Sequence, residues 1–63
     1  MNPSLAATLV RRWLERAELF EALAAEARER QCFNSALILE AMARIERENA
    51  RDLSAEIAMP AAA

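Results

Sequence analysis

Two runs of residues spaced alternately by four and three positions constrain this chain more than any other feature. The first run is Ala6, Val10, Trp13, Ala17, Phe20, Ala24 and Ala27, and the second is Ala36, Leu39, Ala43, Glu46, Ala50, Leu53 and Ile57. Such spacing places a stripe of side chains along one side of an α-helix and is typical of helices that pack lengthwise. The chain contains no glycine, so little interrupts helix formation within either run.

Capping residues indicate where each helix begins and ends. Asn2 is a good N-cap, and Pro3 suits the first helical position because its missing N–H group would have no partner there. Asn34 and Ser35 are N-caps for a second helix, and Pro60 cannot continue one. The chain is therefore predicted as one domain, with a helix at about 3–30, a turn at about 31–34, a helix at about 35–59 and a frayed tail at 60–63.

Two helices joined by a short turn predict an all-α fold, an antiparallel two-helix hairpin. A chain of 63 residues buries too little surface to close both apolar stripes alone. We therefore expect two hairpins to form a homodimeric four-helix bundle. The predicted dimer core consists of Val10, Trp13, Ala17, Phe20, Ala24, Ala27, Ala36, Leu39, Ala43, Ala50, Leu53 and Ile57.

Composition argues against an enzyme. Without glycine or histidine the chain cannot form a phosphate-binding glycine loop, a histidine base or a histidine-ligated metal site, and its lone Cys32 cannot form an internal disulfide. We expect no catalytic residue, no cofactor and no metal. No stretch of about 20 apolar residues is present, so no membrane partner is expected. The sequence predicts a cytoplasmic protein.

Glu46 is the one charged residue in the second run. An ionised carboxylate inside a helical bundle is destabilising by several kcal/mol unless it is paired. In an antiparallel hairpin Glu46 lies level with residues near 17–20, and Arg16 is the nearest candidate cation. We predict that Glu46 forms a buried pair with Arg16, or with an arginine of the second chain of the dimer, and that this pair fixes the register of the helices, as single buried polar residues can. A metal-binding or a solvated Glu46 is the alternative.

Arginine clusters could mark a nucleic-acid surface. Arg11, Arg12 and Arg16 lie close together in the first helix and are the candidate RNA contacts. A second cluster in the second helix consists of Arg44, Arg47 and Arg51. Solvated arginines with glutamate partners, such as Glu40–Arg44 and Glu26–Arg30, are the simpler interpretation, since a net charge of −2 does not favour phosphate binding.

Several large apolar residues lie outside the two runs. They are Leu19, Leu37, Ile38 and Ile45. These residues either widen a dimer interface or form a patch that binds a second protein.

Two families of helical proteins resemble this chain. Its length, hairpin plan and heptad spacing are similar to those of the Rop-like RNA-one modulators, short hairpins that dimerise into four-helix bundles and bind paired RNA loops. The segment from Leu23 to Leu53 also resembles half of a ferritin-like or rubrerythrin-like bundle. That resemblance implies a metal-binding role for Glu46, although Asn49 stands where the family has a histidine.

Together these features predict a non-enzymatic, homo-oligomeric interaction or regulatory protein, a four-helix-bundle adaptor. The partners expected are a second copy of the chain and a second protein. A Rop-like RNA-binding regulator and a remnant ferritin-like metal binder are the alternatives.

Overall fold

The computed structural model describes residues 2–58, and this range consists of two helices without a strand. Helix α1 spans Pro3–Glu29 and helix α2 spans Phe33–Ala58. Ion pairs join Arg28 to Glu40 and Glu21 to Arg47, so positions later in α1 meet positions earlier in α2. The fold is therefore an antiparallel helical hairpin, as the sequence predicts. The predicted tail at 60–63 lies outside the described residues.

Helix α1 begins with the cap that the sequence predicts. The backbone N–H of Ser4 donates to Oδ1 of Asn2 at 2.8 Å, and Pro3 occupies the first turn. The side chain thus satisfies one of the N–H groups that have no partner within the helix.

The turn between the helices closes without a glycine. Gln31 has a φ of 61°, in the left-handed region that glycine normally occupies. The N–H of Cys32 donates to the carbonyl oxygen of Ala27 at 2.8 Å, and the N–H of Gln31 donates to that of Arg28 at 3.0 Å. These two bonds form a Schellman motif, which satisfies carbonyl groups at the end of α1.

Helix α2 starts at Phe33, two residues before the predicted position. The N–H of Ala36 donates to the carbonyl oxygen of Cys32 at 3.0 Å, so Asn34 and Ser35 already lie within the first helical turn. Cys32 is therefore the residue that precedes α2, and neither Asn34 nor Ser35 is its N-cap.

The fully buried residues of the hairpin are all alanines. They are Ala6, Ala17 and Ala24 of α1 and Ala36, Ala43 and Ala50 of α2. Side-chain size at the contact sets the distance between packed helices, so alanines at the contact positions allow α1 and α2 to approach closely. Within residues 2–58 no large side chain is fully buried.

The hairpin is a single layer of helices. It extends 52 × 17 × 12 Å, and the smallest dimension is about the diameter of one helix. Its accessible surface is 4904 Å², whereas a compact monomer of 7.0 kDa exposes about 4,000 Å². A single elongated layer of two helices therefore exposes more surface than a compact monomer of the same mass. Neither helix is apolar over a length that could cross a lipid bilayer.

Candidate interaction face

The close contact between the helices divides the rest of the surface into two sides. Arginine and glutamate residues dominate one side, which we call the charged flank and define by Glu21, Arg28, Glu40, Arg44, Arg47 and Arg51. Large apolar residues dominate the other side, which we call the apolar face. Each side is fixed by its heptad position relative to the buried alanines.

Two bidentate ion pairs join the helices along the charged flank. Nε and Nη2 of Arg28 donate to the Glu40 carboxylate at 2.9 and 2.7 Å. One heptad away, Nε of Arg47 donates to Oε2 of Glu21 at 3.2 Å, and Nη2 donates to Oε1. Bidentate arginine–carboxylate geometry is the strongest form of such contacts, although solvent exposure reduces its contribution.

The two ion pairs favour the charged form of all four groups. Hydrogen bonds from Arg47 lower the pKa of Glu21, and hydrogen bonds from Arg28 lower the pKa of Glu40. The same bonds raise the pKa of each arginine. The charged flank therefore favours the ionised form of its carboxylates.

The predicted partner of Glu40 was Arg44, but the structure pairs Glu40 with Arg28 across the hairpin. The predicted Glu26–Arg30 pair is present at 3.7 Å. Sequence reasoning missed these two cross-helix pairs because it paired the charges of this side only within one helix, whereas the true partners lie 12 and 26 positions apart. The signal that could have found them is opposite charge at the same heptad position of both helices.

An open depression of about 450 Å³ lies on the charged flank. It is lined by Glu21, Glu40, Arg44, Arg47, Glu48 and Arg51. Three arginines alternate with three glutamates there, and two of the lining residues already bind each other. The depression therefore presents no excess of positive charge to a phosphate group.

The apolar face carries most of the exposed large hydrophobic residues. Leu5, Leu9, Trp13, Leu19, Phe20 and Leu23 line it on α1, and Ile38, Leu39, Met42, Ile45 and Leu53 line it on α2. The exposed large hydrophobic residues of the hairpin are 37% to 62% accessible. An exposed surface on which large apolar residues predominate in this way marks an interaction site.

The residues predicted as a partner patch divide between the two sides. Leu19, Ile38 and Ile45 belong to the apolar face, and all three are exposed. Leu37 is also exposed, but it lies one heptad before Arg44 on the charged flank. Leu37 and Ile38 are consecutive residues that a helix turns about 100° apart, and a single patch of all four residues stays a prediction.

The residues predicted for the dimer core fall into three groups in one chain. Ala17, Ala24, Ala36, Ala43 and Ala50 are already buried between the two helices. Six others are half-buried, namely Val10, Trp13, Phe20, Ala27, Leu39 and Leu53. Ile57 remains 41% exposed. The hairpin alone thus covers the alanines and leaves the larger side chains incompletely covered.

The structure brings Glu46 and Arg16 together on the apolar face. Nη2 of Arg16 lies 3.2 Å from Oε1 of Glu46, and the guanidinium also lies 5.9 Å from the centre of the Phe20 ring. The Glu46 side chain is only 13% exposed, whereas that of Arg16 is 60% exposed. The prediction that both are buried is wrong for Arg16, because its long side chain extends over the Phe20 ring into solvent.

Oε2 of Glu46 is inaccessible to solvent and has no hydrogen-bond partner within residues 2–58. A buried polar atom without a partner is destabilising by about 1–3 kcal/mol. Glu46 is therefore incompletely satisfied by Arg16.

Of the other predicted site residues, Arg12 lies on the apolar face, one heptad from both Leu5 and Leu19, whereas Arg11 lies off it. Arg11 and Arg12 are exposed on α1, and Cys32 is an exposed thiol whose Sγ donates to the carbonyl oxygen of Arg30 at 3.7 Å. In the described part of the chain no three His, Cys, Asp or Glu residues cluster as a metal site would require. A metal role for Glu46 therefore has no further ligands to support it there.

Searches against protein-family models, curated proteins and solved structures find no match to this chain. The resemblances to Rop-like and ferritin-like proteins accordingly stay predictions.

Proposed function

We propose that the protein is a non-enzymatic assembly module in which two copies pack through their apolar faces to form a four-helix bundle. The observation that carries this proposal is the all-alanine buried core, which leaves the large apolar residues of both helices uncovered. A second hairpin laid on the apolar face supplies the missing layer. The exposed thiol of Cys32 fits a reducing compartment, and we assign the module to the cytoplasm on that ground.

Sedimentation equilibrium tests the proposal directly. We expect at least a dimer at micromolar concentration, together with a thermal midpoint that rises with protein concentration, since association is linked to folding. A well-folded monomer across that concentration range would contradict it.

The chain offers a matched pair of leucines that distinguishes the two sides. Leu14 and Leu23 both lie on α1 and are both 37% exposed, but Leu14 lies beside the charged flank and Leu23 on the apolar face. Leu23→Glu should dissociate the dimer because it places a charge in the interface, and Leu14→Glu should leave it associated. Equal dissociation of both variants would show that the interface lies elsewhere.

RNA binding is a second candidate function, favoured by the exposure of Arg11 and Arg12. Neither residue forms an ion pair with another described residue, so both are available to phosphate groups. Binding to paired RNA hairpins should then weaken steeply with salt, and Arg12→Ala should reduce the slope of log K against log salt by about one. Salt-independent or absent binding would reject this function.

A further inference from the structure

The Arg16–Glu46 pair lies at the middle of the apolar face. Arg16 is the central residue of α1, with thirteen helical residues on either side. Glu46 is equally close to the centre of α2. A hairpin that covers the whole apolar face therefore places its own central pair against this one.

The pair has both an unused acceptor and unused donors. Oε2 of Glu46 is buried without a partner, and a guanidinium group has five N–H donors, of which the contact with Glu46 uses few. More than half of the Arg16 side chain is exposed, so it can reach beyond its own hairpin. The same pair in a second copy would offer the donor that Glu46 lacks.

Two-fold symmetry permits two ways of packing identical hairpins face to face. With the axis parallel to the helices, both turns lie at one end and α1 of each copy packs on α2 of the other. Arg16 then faces the partner's Glu46. With the axis across the helices, the turns lie at opposite ends, and Arg16 faces the partner's Arg16. Like charges placed together in an interface oppose association.

We propose that the occupant of the apolar face is a second copy docked with both turns at the same end. Two Arg16–Glu46 pairs then close a ring of four alternating charges at the centre of the bundle. This inference rests on the proposed function and specifies its geometry.

Cys32 provides a direct measurement of that geometry in the natural sequence. It is the only cysteine, is exposed, and lies in the turn at one end of the hairpin. A nitroxide label on Cys32 would report the distance between the two turns by pulsed electron–electron double resonance. Turns at one end predict a distance below roughly 25 Å, given about 10 Å between neighbouring helices and the two label arms.

Turns at opposite ends predict roughly 40 Å, the length of a 27-residue helix. A long distance in a dimer would overturn the ring and leave the proposed function standing. A monomeric mass with no measurable coupling would overturn both.

Exchange of charge between chains tests the ring itself. Glu46→Arg alone and Arg16→Glu alone should each weaken self-association at least roughly tenfold, because each homodimer gathers four like charges. Mixing the two variants should restore a dimer, since every contact between chains is then attractive. A mixture that stays dissociated would overturn the ring, whether or not the separate variants are folded.

The charged flank supplies the control for this exchange. Glu21→Arg and Arg47→Glu disrupt a pair of the same residue types, but that pair lies within one hairpin. Mixing these two variants should leave the self-association of each unchanged, because the Glu21–Arg47 pair makes no contact between chains. A single chain carrying both Arg16→Glu and Glu46→Arg should dimerise as the natural protein does, with the same short Cys32 distance, and loss of dimerisation would contradict the ring.

Discussion

The charged flank and the apolar face differ in what they leave unsatisfied. On the charged flank, Arg28 meets Glu40 and Arg47 meets Glu21 through bidentate hydrogen bonds within one chain. On the apolar face, Glu46 has a buried oxygen without a partner, and large hydrophobic side chains are exposed to water. The two sides of one hairpin therefore have different roles: one stabilises the pairing of α1 with α2, and the other is suited to a further contact.

The largest expected effect comes from removing an aromatic residue of the apolar face. Phe20→Ala should lower the free energy of unfolding by about 3–5 kcal/mol at concentrations where the dimer forms, because Phe20 is then in a packed core. Trp13→Ala should behave similarly. Leu37→Ala is the control on the charged flank and should change stability by no more than about 0.5 kcal/mol. Urea unfolding followed by circular dichroism measures all three, and a Phe20 effect as small as that of Leu37 would leave the apolar face without a partner.

Enlarging a buried alanine tests the close contact between α1 and α2, from which the charged flank and the apolar face are defined. Ala43→Leu should be destabilising by about 1–3 kcal/mol, because the close approach of the helices leaves no space for the added carbons. Ala25→Leu makes the same change at an exposed position of α1 and should be nearly neutral. If Ala43→Leu proved neutral in thermal unfolding, the helices would not be held as closely as the structure places them.

A smaller effect of opposite sign is expected in the turn. Gln31→Gly should stabilise the hairpin by about 1 kcal/mol, because glycine adopts a positive φ without the steric conflict that a Cβ atom causes. Gln31→Ala keeps the Cβ atom and should give little or no gain. Thermal midpoints of the two variants would separate them, and a destabilising glycine would contradict the left-handed conformation.

The smallest effect concerns the pH dependence of the charged flank. The pKa values of Glu21 and Glu40 are lowered in the folded chain, so their contribution to stability is present above the unfolded pKa. It is lost as the pH falls through the folded pKa. Acid below the ordinary glutamate pKa should therefore destabilise the natural protein more than the Glu21→Gln, Glu40→Gln double variant. Identical acid sensitivity of the two proteins would show that the ion pairs contribute nothing measurable.

The sequence predicts the helices better than it predicts their two sides. Periodic spacing identifies both helices, and the residue types Asn2 and Pro3 identify the first cap. Both signals depend on residues that are close in sequence. The sequence also places Arg16 level with Glu46, since antiparallel geometry fixes that level. It does not predict that Arg16 stays exposed or that Glu40 pairs with Arg28, because both depend on how far each helix rotates about its axis. The alanine contact sets that rotation, and it involves both helices at once.

The early start of α2 has a similar origin. Local preference favours Asn34 or Ser35 as a cap, but the Schellman bonds of Gln31 and Cys32 determine the direction in which the chain leaves the turn. A glycine after a helix often marks the residue that adopts a positive φ. This chain lacks glycine, so its sequence does not indicate that Gln31 adopts one.

The single layer of helices has a consequence for the lifetime of the protein. A hairpin one helix thick has little interior in which backbone amides are protected, so an isolated chain should exchange hydrogen and be cleaved by proteases readily. Under the proposed association, protection comes only from a second chain, and resistance to degradation becomes a function of abundance. Newly made protein would then be removed quickly while scarce and persist once copies meet, which makes its steady-state level a threshold response to its own synthesis rate.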